Sequence, residues 1–172
     1  MQNFGTVKSF EYIFAVTEES TVQMTVDISN CDITAICELQ CGDIVLADAA
    51  NSNLKLLNQS FHNLSVCPLP DIPLDMCAIG DTENAVVTNG QVHFYFLQDG
   101  SLRSGKLIKV HKQSSGMAYF AGNLYVATMP NLVKYSIDGK QDKLLYKDTE
   151  AGGQGKTKSF LNKLLNNTML PG

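Results

Sequence analysis

Short apolar runs alternate with polar turns along most of this chain, and a longer pattern recurs above that alternation between about residues 32 and 147. Ile33, Leu74 and Ser115 hold equivalent places in three successive segments, with 41 residues from each to the next. Each segment predicts four short strands bounded by turn residues, with almost no helical periodicity. One such unit cannot bury both faces of its sheet alone, so the repeat predicts units that stack on one another.

The order of elements inside each segment favours a β-propeller over a β-sandwich with evenly spaced strands. A strand rich in small residues comes first, and three further strands follow it across polar turns. Four short strands in roughly forty residues are typical of a propeller blade. Gly100 and Gly139 fall in two of the predicted hairpin turns, where a positive φ angle is required. We predict an all-β fold, a partial β-propeller of about three four-stranded blades.

The same pattern sets the predicted boundaries. Residues 1–31 form a lead-in with one strand, and residues 32–149 form the three blades, at about 32–72, 73–113 and 114–149. Beyond Thr149 the repeat ends, and the apolar spacing within residues 150–172 predicts a short helical tail. Three blades leave sheet edges open and the ring unclosed, so we expect an isolated chain to be marginally stable or to self-associate.

Composition narrows the class of protein further. Hydrophobic residues make up 44% of the chain and charged residues 17%, as in a globular domain. The net charge of −4 argues against a binder that depends mainly on nucleic-acid phosphates, although a local basic patch remains compatible with it. The start of the chain has no secretory signal pattern, and no apolar run is long enough for a membrane span. Five cysteines without a framework spacing predict free thiols and a cytoplasmic location.

Near the end of the chain, Gly155, Lys156 and Thr157 invite comparison with a nucleotide-binding P-loop. That loop needs an earlier glycine at a fixed distance, because the amides of its first turn cradle the phosphates. Glu150 stands at that position instead, and its charge would repel a phosphate. The three histidines lie in different repeat elements without a second ligand at a metal-like spacing; they are His62, His93 and His111. We therefore predict no cofactor, no bound metal and no catalytic residue.

The first segment carries the motif DIVLADAANSNLKLLN, residues 43–58. It resembles the NHL repeat, in which an apolar run ends in Asp and is followed by a short turn, an Asn and a closing apolar strand. Asp48 matches the Asp and Asn51 the turn Asn, while three leucines form the closing strand. Side chains of this kind can bond backbone N–H groups in a tight connection, so we interpret both residues as structural.

Over roughly residues 5–149 the chain resembles the NHL-type propeller of invertebrate, mollusc-like tripartite-motif (TRIM) proteins. The resemblance implies a recognition domain associated with ubiquitin ligases, and a ring of about six blades where this chain has three. Cys37 and Cys41 have no matching second pair, so the chain lacks the zinc-ligand spacing of a RING finger. Ligase activity is therefore not expected in this chain, which we predict not to be an enzyme.

One segment, RSGKLIKVHK at residues 103–112, concentrates positive charge on a predicted outer strand. Strand alternation turns Ile108 and Val110 inward and Lys109 and His111 outward. The candidate contacts for a partner are Arg103, Lys106, Lys109, His111 and Lys112. These side chains would contact an acidic protein segment, or they would contact RNA, as some TRIM-type propellers do. The alternative is that they form an ordinary solvated strand face without a partner.

These observations favour a non-catalytic recognition or scaffold module that binds a protein partner through a propeller surface. The alternative is RNA binding by residues 103–112. A third interpretation is a calcium-dependent propeller hydrolase, whose carboxylates at the central channel would include Asp75, accompanied by Asp32, Glu83 and Asn84.

Overall fold

A computed structural model describes residues 21–128 and 131–147. Its first four strands are Ile33–Glu38 (β1), Ile44–Asp48 (β2), Asn53–Leu57 (β3) and Asn63–Pro68 (β4). The next four are Asp75–Ala78 (β5), Glu83–Thr88 (β6), Gln91–Gln98 (β7) and Ser101–Lys109 (β8). The last four are Ser114–Phe120 (β9), Asn123–Thr128 (β10), Asn131–Ser136 (β11) and Gln141–Lys147 (β12).

The twelve strands form three sheets of four, which are β1–β4 (sheet one), β5–β8 (sheet two) and β9–β12 (sheet three). In each sheet the strands pair antiparallel in chain order. The sheets stand in an open row, with β1 against β5, β5 against β9, and β4 beside β8. For the described residues, the prediction of an all-β fold with three four-stranded, propeller-like blades is therefore confirmed.

The lead-in and the tail expected from the sequence lie partly or wholly outside the residues that the structure describes. Residues 21–31 of the lead-in contain turns and bends and no strand, and residues 1–20 lie outside the described part. The tail helix expected within residues 150–172 lies outside it as well. No helix that could cross a membrane occurs in the part of the chain that the structure describes.

Two apolar cores fill the spaces between successive sheets. The first lies between sheets one and two, where Val45 and Leu54 meet Val86 and Tyr95. The second lies between sheets two and three and includes Phe94. Alternation along each strand explains the division, because neighbouring residues such as Phe94 and Tyr95 point to opposite faces of one sheet. The middle sheet is consequently buried on both faces.

Polar contacts join the first strands of successive sheets. The hydroxyl of Thr34 donates to the carbonyl of Pro73 at 3.1 Å, which links sheets one and two. Asp75 accepts from the backbone N–H of Met117 at 2.9 Å, which links sheets two and three. The Asp75 carboxylate therefore forms a hydrogen bond between two blades. The hydrolase interpretation needs the same carboxylate as a ligand at the central channel.

The turns confirm the glycine requirement read from the sequence. Gly100 has φ +70° and closes the β7–β8 hairpin together with Asp99 at φ +50°. Gly139, between β11 and β12, has φ +88°. A Cβ added at Gly139 would come within 2.9 Å of the Ile108 Cβ, because this turn packs against β8.

Substitution of Gly139 by alanine should destabilise the fold more than the same change at Gly100. Both residues would suffer left-handed strain of about 1 kcal/mol, but only Gly139 also meets a crowded neighbour, which brings its expected loss to about 2–4 kcal/mol. Chemical denaturation measures the difference. Gly80→Ala is the control, because Gly80 lacks a positive φ and a Cβ there meets nothing within 4 Å. Equal losses for Gly100→Ala and Gly139→Ala would contradict the packing of this turn on β8.

Candidate functional site

Asp48 and Asn51, the two residues of the repeat motif, contact each other directly. Asp48 ends β2 and is completely buried, while Asn51 lies in the following turn. The Asn51 side chain donates to Asp48 Oδ2 at 2.8 Å, and its backbone N–H lies 3.3 Å from Asp48 Oδ1. Both side chains therefore shape the connection from β2 to β3.

The same asparagine also holds the lead-in. Its Oδ1 accepts from the backbone N–H groups of Ile28 at 3.0 Å and Ser29 at 2.9 Å. Its side-chain amide donates to the carbonyl of Ser29 at 3.0 Å. Asp48 adds a further contact, since its Oδ1 accepts from the backbone N–H of Asp32 at 3.0 Å. The motif thus joins the β2–β3 turn to residues 28–32.

A buried lysine lies at the centre of this arrangement. Lys55 of β3 is fully buried, and its Nζ lies 2.6 Å from Asp27 Oδ2 and 2.8 Å from Asp48 Oδ2. The Nζ also lies 2.8 Å from Cys31 Sγ and donates to the carbonyl of Val22 at 3.0 Å. We call Asp27, Cys31, Asp48 and Lys55 the lysine cluster.

Hydrogen bonds and ion pairs within the lysine cluster offset the cost of burying its charges. Burial opposes the charge on Asp48 and Asp27, but hydrogen bonds from Lys55 and their other donors outweigh it, so both carboxyl pKa values lie below the ordinary Asp value. Burial likewise opposes the charge on Lys55, yet its hydrogen bonds to the two carboxylates raise its pKa above the ordinary value. Burial raises the pKa of the Cys31 thiol. Two carboxylates, one ammonium and a neutral thiol leave one net negative charge.

The donor atoms of Asp27, Cys31 and Asp48 lie within 4.8 Å of one another, close enough to share a metal ion. The Lys55 ammonium already lies among them and forms ion pairs with both carboxylates. A metal ion at this position would have to displace the ammonium. The residues that the structure describes therefore favour an internal cation over a metal centre.

Sequence reasoning missed the lysine cluster. Lys55 lies within the apolar run LKLLN, which predicts only a strand, and Asp27 lies in a lead-in without a hydrophobic periodicity. One usable signal was that both faces of this strand carry leucines, with Leu54 and Leu56 on one face and Leu57 beside Lys55 on the other. A strand of this kind is buried on both faces, and a buried lysine requires a carboxylate partner. Asp48 of the neighbouring strand was a ready candidate.

The predicted basic segment lies mainly on β8, the outermost strand of sheet two. Arg103, Lys106 and Lys109 are exposed on this strand, and the exposed His111 and Lys112 follow it. None of these four Lys and Arg side chains forms an ion pair with a described residue. We call the segment from Arg103 to Lys112 the basic arm.

Alternation and a bulge distribute the side chains of the basic arm. Ile108 is buried, whereas Leu107, on the other face, is 48% exposed and shares that face with Lys109. The pairing of β7 with β8 shifts register near Phe94, and there the Lys106 ammonium lies 4.5 Å from the centre of the Phe94 ring. The arm therefore presents cations on both faces of the strand with one exposed leucine between them.

The histidines serve separate local contacts. His111 is fixed through its backbone N–H, which donates to the Tyr135 hydroxyl at 3.1 Å. His93 is buried in β7 next to Gln91, and its burial lowers its pKa. Among the described residues, neither belongs to a group that could hold a metal. Asp32, Asp75 and Glu83, the carboxylates of the hydrolase interpretation, form no such group among the described residues either.

Comparisons with known proteins support the fold and give no family. No protein-family model and no curated protein matches the chain. Among solved structures, the hydrazine synthase of Kuenenia stuttgartiensis is similar with a TM-score of 0.61 at 12% identity, over 76% of this chain and 40% of that one. A functionally unknown protein from Desulfotomaculum acetoxidans gives 0.58 at 15% identity, over 66% and 42%.

The structure of BBS1N in complex with ARL6DN gives a TM-score of 0.55 at 16% identity, over 76% of this chain and 43% of that one. The hydrazine synthase and BBS1N are propeller-like in fold. At these identities the likeness shows the fold alone. The chain spans less than half the length of each of these structures.

Replacing Lys55 with methionine should destabilise the protein by about 3–5 kcal/mol, because two buried carboxylates lose their counter-ion. Chemical denaturation provides the measurement. Lys143→Met, at an exposed position of β12, is the matched control and should change stability by less than about 0.5 kcal/mol. Adding Asp27→Asn and Asp48→Asn to Lys55→Met should recover part of the loss, because no uncompensated charge then remains. Equal effects of Lys55→Met and Lys143→Met would contradict the cluster.

Stability should also fall at both ends of the pH range. The lowered pKa values of Asp27 and Asp48 give stability that is present above the ordinary Asp value of 3.8 and lost as pH falls below it. The raised pKa of Lys55 gives stability that is present below 10.5 and lost as pH rises beyond it. Denaturation midpoints measured across this range should show both losses. The triple variant Lys55→Met, Asp27→Asn, Asp48→Asn should flatten the profile, and an unchanged profile would refute the assignment.

Proposed function

We propose that this protein is a non-catalytic recognition module and that its basic arm binds an acidic segment of a partner protein. One observation carries the proposal: Arg103, Lys106 and Lys109 are exposed on the outer strand of sheet two and form no ion pair with any residue that the structure describes. An acidic segment would supply the missing charges. Leu107, half exposed among these cations, would add an apolar contact.

The distribution of charge along the chain supports this choice. The protein has a net charge of −4, yet no Asp or Glu occurs between Asp99 and Asp138. The basic arm therefore lies in a continuous sequence that contains cations and no carboxylates. Such a local field steers an acidic partner and orients it, while the rest of the molecule repels the same partner.

The surface is less suited to RNA. Sequence-tolerant RNA binding relies on aromatic side chains on which bases stack. Among the aromatic residues beside the arm, Phe94 is 1% exposed beneath Lys106, and Phe96, opposite Arg103, is only partly exposed. The arm would therefore hold RNA mainly by phosphate contacts, against the net negative charge of the molecule. RNA binding is kept as an outcome of the test.

The structural comparisons agree with a recognition role without defining it. BBS1N, one of the similar structures, was solved in complex with ARL6DN, so a propeller-like protein of related fold binds a protein partner. The hydrazine synthase is named for an activity, and one fold can carry unrelated functions. The proposal therefore depends on the basic arm and not on the fold.

Our proposal extends to the origin of the module. We propose that it derives from an NHL-type propeller of TRIM-like proteins, that it acts in the cytoplasm, and that it serves as a scaffold for ubiquitin ligation carried out elsewhere. The Asp48–Asn51 turn and the repeated strand order support this origin. The described cysteines are all free, and they do not group with histidines as RING ligands would.

Binding of a labelled peptide of glutamates with interspersed leucines tests the function, with fluorescence anisotropy as the measurement. Charge reversal by Arg103→Glu, Lys106→Glu and Lys109→Glu should weaken binding by about tenfold or more, since three exposed ion pairs contribute roughly 0.5 kcal/mol each. The matched control reverses three exposed lysines elsewhere: Lys140→Glu, Lys143→Glu and Lys147→Glu. This control should keep most of the affinity.

A labelled single-stranded RNA provides the competing measurement at the same salt concentration. RNA affinity that exceeds peptide affinity and is lost in the basic-arm variant would establish the RNA alternative and reject the proposal. Equal losses in the basic-arm variant and in the control would show a charge effect without a site. Absence of peptide binding at low salt would reject the acidic-segment proposal.

A further inference from the structure

Cys31 and Lys55 are held in an arrangement suited to covalent chemistry. The Cys31 Sγ lies 2.8 Å from the Lys55 Nζ. The two residues are far apart in sequence, one in the lead-in and one in β3. We propose that this pair is an oxidation site, at which an oxidant joins the two side chains through an N–O–S bridge.

The surroundings position the amine and leave the thiol accessible. Three further contacts fix the Lys55 Nζ, to Asp27, Asp48 and the carbonyl of Val22. Its side chain has no exposed surface, whereas Cys31 is partly exposed. An oxidant therefore reaches the sulfur from solvent, and the nitrogen is already at contact distance. This is the positioning that favours reaction between two groups.

The reaction balances with dioxygen or a peroxide as the oxidant. With dioxygen, the Cys31 thiol and the Lys55 amine lose one hydrogen each, one oxygen atom enters between sulfur and nitrogen, and the other leaves as water. The S–H bond and one N–H bond break, and an S–O and an O–N bond form. With hydrogen peroxide, two molecules are consumed and three molecules of water are released, since the first oxidises the thiol to a sulfenic acid.

The two carboxylates resolve the charge problem of this reaction. Lys55 begins as an ammonium, and it must lose a proton to act as a nucleophile. Asp27 and Asp48 both accept its hydrogen bonds, and the same ammonium lowers their pKa values. As the bridge consumes the ammonium, that lowering is lost, and either carboxylate can then keep the proton. The product contains a neutral bridge, one carboxylic acid and one carboxylate. Its net charge equals that of the starting cluster, and no additional charge is left unpaired in the buried site.

The separation of the two atoms selects the kind of bridge. An oxygen inserted between Sγ and Nζ spans their present separation with little movement of either side chain. A direct S–N bond would draw the two atoms together to single-bond length. That movement would pull Nζ away from its carboxylates, which the short contacts at 2.6 and 2.8 Å oppose. The geometry therefore points to an N–O–S product.

The bridge would tie the lead-in covalently to sheet one. At present residues 22–32 are held on this sheet by hydrogen bonds and ion pairs. A covalent link across the 24 positions between Cys31 and Lys55 restricts the unfolded chain and should raise stability. Oxidation would thus fix the lead-in in place, and reduction would return it to non-covalent control.

Mass spectrometry of the complete protein tests the proposal after incubation with hydrogen peroxide. The expected product is heavier by one oxygen less two hydrogens, and it reverts on treatment with dithiothreitol. In the peptide map, trypsin should fail to cut after Lys55 and should leave residues 9–103 as one peptide. Further cleavage after Glu38 separates Cys31 from Lys55 along the chain, and the two pieces should remain linked. Thermal denaturation should give the oxidised protein a higher midpoint than the reduced protein.

Two variants provide the controls. Cys31→Ser retains a small polar side chain and should abolish the linked species, while Cys41→Ser removes an exposed thiol outside the cluster and should leave it intact. Cys31 is only partly exposed whereas Cys41 is exposed, so the bridge should form more slowly than oxidation of Cys41, and a time course separates the two. Oxidation of Cys31 with normal cleavage after Lys55, or no oxidation of Cys31, would overturn the proposal.

Discussion

The ion pairs of Lys55 with Asp27 and Asp48 solve a problem that the open row of sheets creates. Each propeller-like sheet has two faces to cover, and sheets two and three each pack one face against the sheet before them. In the described residues no sheet precedes the first, so its corresponding face must be covered by something else. The lead-in covers part of it, and the Lys55 ammonium is the centre to which that segment is attached.

Equivalent strand positions in the three sheets show how the lead-in takes the place of a preceding sheet. Lys55 pairs with Leu46 across β3 and β2, and the equivalent pairs are His93 with Val86 in sheet two and Val133 with Val126 in sheet three. Val133 is packed in the core between sheets, and His93 is buried. A lysine at this place would be costly inside such a core, because burial penalises its charge. It is tolerated in sheet one because Asp27 and Asp48 supply counter-charges at contact distance.

The repeat could be predicted from the sequence because its signals are local. Turn glycines, period-two alternation and the order of strands depend on neighbouring residues, and Gly100, Gly139 and buried Ile108 accord with them. Lys55 could not be predicted in the same way, since its partner Asp27 lies 28 residues earlier. The local pattern also predicted that the cations of the basic arm lie on an outer strand. It could not predict the position of Lys106 over Phe94, because that contact depends on a shift in strand register.

The lysine cluster and the basic arm use lysine in opposite ways, and burial accounts for the difference. The ammonium of Lys55 is buried, and its ion pairs hold the lead-in on sheet one. Replacing Lys55 would leave two buried carboxylates without a counter-ion. The cations of β8 are solvated, and exposed charges of this kind contribute little to folding. The two regions share one core, because Leu102 of β8 packs with Leu54 and Leu56 of β3. The core that supports β8, the strand of the basic arm, therefore also contains the strand whose opposite face carries Lys55.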